Sequence, residues 1–117
     1  MSITKMLNDI HIDQYDYGVD IKFNLTTKQN TPFNLNGYEA QLIIKAKKDD
    51  LDENAIYNKI FVCKEGNTIR IPVEKELTAN PVGNYFYAIR LIKDGIYVNT
   101  VMQARLYIKN NTFEEGI

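Results

Sequence analysis

The stretch from Gly83 to Ile108, GNYFYAIRLIKDGIYVNTVMQARLYI, constrains this chain more than any other. Two long runs of alternating apolar and other residues flank Lys93-Asp94-Gly95-Ile96. An Asp-Gly pair between such runs predicts a two-residue type I′ hairpin, because that turn needs positive φ at both central residues. With Asp94 and Gly95 at the tip, an uninterrupted ladder places Leu91 opposite Val98, Ile89 opposite Thr100, Tyr87 opposite Met102 and Tyr85 opposite Ala104. The other face then carries Ile92 with Tyr97, Arg90 with Asn99, Ala88 with Val101, Phe86 with Gln103, and Asn84 with Arg105. The first set is nearly all apolar and the second mixed, as side-chain alternation demands when one sheet face is buried.

The same period of two recurs along the chain. Val19, Ile21, Phe23 and Leu25 alternate with Asp20, Lys22 and Asn24, which predicts a half-buried strand. Phe33 and Leu35 are anchors in the Thr-, Asn- and Pro-rich connection that follows. Tyr38, Ala40, Leu42, Ile44 and Ala46 face one way along the next strand, with Ile43 the apolar exception on its polar side. A strand near Ile56–Lys64 is expected to place Ile56, Ile60 and Val62 in the core. Ile69, Ile71 and Val73 point inward from Thr68–Val73, where Pro72 lacks an N–H and so marks an edge or an end. Residues 3–12 suit an edge strand or a short helix equally, and Glu74–Val82 suits one helical turn stopped ahead of Pro81.

About seven to eight short strands punctuated by turn signals predict an all-β fold, a two-sheet antiparallel sandwich or small barrel. One domain over residues 1–109 accounts for the pattern, and residues 110–117 lose it, as a tail or the start of a linker would. A short helical turn followed by Gly83 and Tyr85 resembles the tyrosine corner of immunoglobulin-like sandwiches, which makes Tyr85 structural.

At 117 residues the chain can bury a core of its own. A net charge of −1 supplies no basic field for nucleic acid or anionic lipid. No apolar run approaches the ~20 residues that span a bilayer, and the N-terminus lacks a basic-then-apolar signal. Cys63 stands alone, without a disulfide mate or a metal-binding companion, and reads as a packed or half-buried thiol. His11 is also the one histidine, which leaves little for Ser-His-Asp catalysis. Asp50, Asp52 and Asn54 match the first ligand positions of an EF-hand loop, but Ala55 and Phe61 stand where glycine and the bidentate glutamate belong. The expectation is therefore a protein without enzymatic activity, metal or cofactor.

The residues harder to assign to a core lie on the outward face of the hairpin. Phe86, Ala88, Ile92, Tyr97, Val101 and Tyr107, with Ile43 alongside, form a candidate apolar contact ringed by Arg90, Asn99, Gln103 and Arg105.

Three stretches together resemble the N-terminal domain of the phage baseplate upper protein family. Gln14-Tyr15-Asp16-Tyr17-Gly18-Val19-Asp20 is similar to that family's glutamine–glycine–aspartate turn entering an early strand. Leu35-Asn36-Gly37-Tyr38 is like its leucine–polar–glycine step before a long strand. Gly83-Asn84-Tyr85, then Lys93-Asp94-Gly95, is like its glycine-x-tyrosine strand and Asp-Gly hairpin. Tyr15 stands where the family usually has glycine, and Tyr17 where a small residue is common. No single motif is specific; their order and spacing across about residues 10–108 carry the likeness. The resemblance implies an immunoglobulin-like sandwich in a virion tail or baseplate, made in a bacterial host's cytoplasm. It also implies a structural and attachment role, homo-oligomeric assembly, and contact with other tail proteins. Family members often continue into a second domain, so the chain is either a short relative or part of a longer one. The alternative is a free-standing immunoglobulin-like module that binds carbohydrate or another surface.

Overall fold

A computed structural model describes residues 9–18, 20–27, 31–64 and 66–110. The described chain is mostly β: β1 (Ile10–Asp13), β2 (Asp20–Asn24), β3 (Tyr38–Lys45), β4 (Tyr57–Val62), β5 (Thr68–Pro72), α1 (Lys75–Thr78), β6 (Gly83–Lys93) and β7 (Ile96–Lys109). A 3-10 turn at Asp52–Asn54 interrupts the connection between β3 and β4. Five strands form one sheet in the order β1-β7-β6-β3-β4, and β2 and β5 form a second. Residues 1–8, Val19, 28–30, Glu65 and 111–117 lie outside the described residues, so the expected N-terminal segment before Asp9 and all but Asn110 of the expected C-terminal tail are not placed.

The hairpin turn is as expected, with φ of +53° at Asp94 and +76° at Gly95. Its ladder is not. Only Ile92 with Tyr97 keeps the predicted partner; Leu91 faces Asn99, Arg90 faces Thr100, Ile89 faces Met102, Tyr87 faces Ala104 and Tyr85 faces Leu106. Val98 and Val101 are the extra residues at two register shifts, and each slips the pairing by one. A single slip would turn every later side chain to the wrong face; a second restores it. The gain is visible in burial: Val101, which an uninterrupted ladder sends outward, is 0% exposed beside buried Met102, while Val98 turns out to solvent.

The expectation of purely antiparallel sheets also fails, because β1 runs parallel to β7, pairing Ile10 with Leu106 through Asp13 with Lys109. No tight turn links these distant strands, so nothing local imposes an antiparallel direction.

Ile60 and Val62 are not core residues. The ladder between β3 and β4 sets Tyr57, Lys59 and Phe61 opposite Ile44, Leu42 and Ala40, and opposed residues share a face. Ile60 and Val62 therefore point outward, 53% and 79% exposed. Lys59 tolerates the inward side because its ammonium reaches the edge, 2.7 Å from the Glu74 carboxylate that also accepts the Tyr57 hydroxyl at 2.8 Å.

One hydrophobic core joins the two sheets, with Leu42, Ile44, Tyr87, Ile89, Leu91 and Leu106 meeting Leu25, Ile69 and Ile71. Phe33, Leu35 and Leu77 close it from the connections. The Tyr85 hydroxyl donates to the Pro81 carbonyl, tying the stretch after α1 to the start of β6. Nearby, Gln14 Nε2 donates to the Asn80 carbonyl at 3.1 Å and the Tyr15 N–H to that of Thr78 at 3.1 Å. The turn after β1 is thereby docked on the same corner.

Candidate functional site

The outer face of the five-stranded sheet carries the residues singled out as a contact. Cross-strand registers arrange it in rows. Arg105, Phe86 and Lys45 form one, Gln103, Ala88, Ile43 and Asn58 the next, then Thr100, Arg90, Gln41 and Ile60, and last Tyr97, Ile92, Glu39 and Val62.

Two expected members are not available. Val101 lies in the core for the reason given above. Ile43 stays on the outer face but is only 2% exposed. Asp52 accepts hydrogen bonds from Lys45 Nζ at 2.8 Å and Arg90 Nη1 at 2.6 Å, which draws the loop after β3 across the sheet beside Ile43. Those two cations hold the Asp52 carboxyl well below the usual carboxylate range, Arg90 contributing most. The acidic loop thus spends Asp52 on a clamp, and Asp50 Oδ2 accepts the Lys47 N–H at 3.1 Å. Among the described residues no group of three or more His, Cys, Asp or Glu side chains converges as a metal ion requires.

The other five members do share the face. Phe86, Ala88, Ile92 and Tyr107 are half-buried and Tyr97 exposed. Cations and rings cover parts of them: the Arg105 guanidinium lies 5.7 Å above the Phe86 ring, and Arg90 lies 5.8 Å from that of Tyr97. Tyr107 stacks on His11 at 4.8 Å between centroids. The open apolar surface is therefore displaced toward the hairpin end, where Ile96, Tyr97 and Val98 are all exposed beside Ile92. Val62 and Ile60 continue apolar exposure on β4, across Glu39 and Gln41. Alternation alone marked Ile60 and Val62 as core and Val98 as inward, so these three were hidden in the sequence.

A concavity of about 570 Å³ opens on this face, with Ile43, Phe86 and Ala88 among the residues lining it and Lys48, Arg90 and Arg105 bringing positive charge. Cys63 is half-buried, and burial, with the Glu39 carboxylate second, pushes its thiol up, which keeps it in the unreactive protonated form. Among the described residues no helix is long and apolar enough to cross a membrane. No family model matches the chain, and no curated protein matches it either.

Proposed function

We propose that the chain is a structural component of a phage or prophage tail or baseplate, a connector built on an immunoglobulin-like sandwich that mediates subunit assembly and host attachment. The observation that carries this reading is conformational. Tyr15 stands where the resembled family usually has glycine, and its φ is +70°, a region that costs a side-chain-bearing residue strain and costs glycine none. Gly18 at +94° and Gly37 at +85° hold the same region in two of the three stretches that carry the likeness. The corner from Tyr85 to Pro81 adds a feature of immunoglobulin-like sandwiches. Subunit contact is assigned to the hairpin end, where Ile92 and Tyr97 lie on the outer face next to exposed Ile96 and Val98, with Arg90 at the rim.

Two measurements test this. Peptide mass spectrometry of purified particles from the producing strain should find the chain at structural stoichiometry; its absence from particles would end the tail assignment. Sizing over a concentration series should show association of the native chain that Ile92→Lys with Tyr97→Glu weakens. Equal behaviour of both would remove the hairpin end as the contact.

The concavity favours a second reading, a module that binds an anionic glycan, since cations surround an apolar floor that includes Phe86. Titration with uronic-acid oligosaccharides distinguishes it: binding lost in Arg105→Ala supports the module, and no binding removes it.

A further inference from the structure

The strand edges of this protein are unequally protected. A free edge presents unpaired N–H and C=O groups that pair readily with another chain, and charges or proline normally block it. Among the described residues, β1 carries exposed His11 and Asp13, β2 carries exposed Asp20 and Lys22, and β5 carries exposed Arg70 and Pro72. On the last strand of the large sheet, β4, the one charge is Lys59, which is turned inward and paired with Glu74 and Glu76, while the outward side chains Asn58, Ile60 and Val62 are all exposed and uncharged.

Backbone direction completes the picture. The Cys63 N–H donates to the Tyr38 carbonyl at 3.0 Å, just beyond the end of β4. Bonded and non-bonded pairs alternate along an antiparallel ladder, so Phe61, Lys59 and Tyr57 turn their amides toward β3. Asn58, Ile60 and Val62 turn theirs to the open side.

We propose that β4 is a self-pairing edge, through which a second copy of this chain docks antiparallel with Ile60 on the two-fold axis. In that register Ile60 bonds Ile60 of the partner subunit, Asn58 bonds Val62 of the partner subunit, and Val62 bonds the partner's Asn58. Every outward N–H and C=O of the strand is then used. The exposed apolar side chains Ile60 and Val62 land on Ile60 and Asn58 of the partner subunit. Lys59 falls beside the partner's Phe61. Moving the axis to Lys59 would set like charges directly opposite, and moving it to Phe61 would leave Asn58 without a strand partner. Charge and hydrogen bonding both select the Ile60 axis. A closed two-fold pair also consumes the edge, so the exposed strand does not seed open-ended growth. The two five-stranded sheets become continuous, and the contact involves neither the hairpin end nor the tail assignment above.

Because β4 is short, association is expected at high concentration, and sedimentation equilibrium into the millimolar range is the measurement. The native chain should form dimers; Val62→Lys should raise the dissociation constant at least tenfold while leaving thermal unfolding of the dilute monomer in place. Register is read separately in a Cys63→Ser background, where Ile60→Cys should give a covalent dimer with a short bis-maleimide and Tyr97→Cys should not. A native chain that stays monomeric throughout overturns the proposal. So does association that survives Val62→Lys but is lost in Tyr97→Glu, which would place the contact at the hairpin end, or crosslinking through Tyr97→Cys alone.

Discussion

Tyr85 shows how one polar atom can hold a junction. Its ring is buried in the core while its hydroxyl donates to the Pro81 carbonyl, and burial raises the phenol's pKa. Replacing it by phenylalanine keeps the packing and removes one hydrogen bond. Tyr85→Phe should therefore lose about 1 kcal/mol in urea unfolding, with the slope unchanged. Asp52 makes a contrasting case, because its partners are two cations and its side chain is half exposed. Its carboxyl titrates lower in the folded chain than unfolded, so its contribution is complete above the unfolded value and is lost as pH falls through and below it. Solvent screening limits that contribution to about 1 kcal/mol or less. Asp52→Asn should destabilise the chain at pH 6 by up to that amount, and the native and variant midpoints should converge as the pH approaches 3 and below.

At the scale of elements, β7 is the instructive strand. Its two register shifts let Val101 and Met102 both reach the core and send Val98 to solvent. The exchange is tested by comparing the size of two effects. Val98→Thr should change stability by no more than about 0.5 kcal/mol, as surface substitutions do. Val101→Thr buries a hydroxyl and should cost about 1–3 kcal/mol. The reverse order in urea unfolding would restore the uninterrupted ladder. The loop after β3 illustrates a second effect: residues that look like ligands in sequence become a strap once Lys45 and Arg90 lie side by side with Asp52.

For the molecule as a whole, protection should follow position in the sheet. β6 is flanked by β7 and β3 and supplies Tyr85, Tyr87, Ile89 and Leu91 to the core, so its amides open only when the domain unfolds. β4 and β1 lie at the edges, and their amides should exchange through local opening. Native-state hydrogen exchange should rank β6 slowest, with free energies matching global unfolding, and β4 outward amides fastest. In the self-paired dimer the amides of Asn58, Ile60 and Val62 should slow with concentration while those of β1 do not.

The sequence by itself determined the β class, the Asp94-Gly95 turn, the inward set Tyr85, Tyr87, Ile89 and Leu91, and the roles of Phe33, Leu35, Ile69 and Ile71. These follow from local rules: a turn type that needs positive φ, and a period of two where only one face is wet. Of the candidate contact, the sequence determined that Phe86, Ala88, Ile92, Tyr97 and Tyr107 share a face. Only tertiary structure decided that Val101 leaves it, that Ile43 is covered, and that Ile60 and Val62 are exposed. Bulges leave no periodic trace when two of them cancel, and a strap forms between residues distant in sequence. The strand Tyr57-Asn58-Lys59-Ile60-Phe61-Val62 carries apolar residues at both parities, so its facing was settled by pairing with β3 rather than by its own pattern. The direction of β1 was decided in the same way, because β7 offered it an edge and no turn dictated how to lie along it.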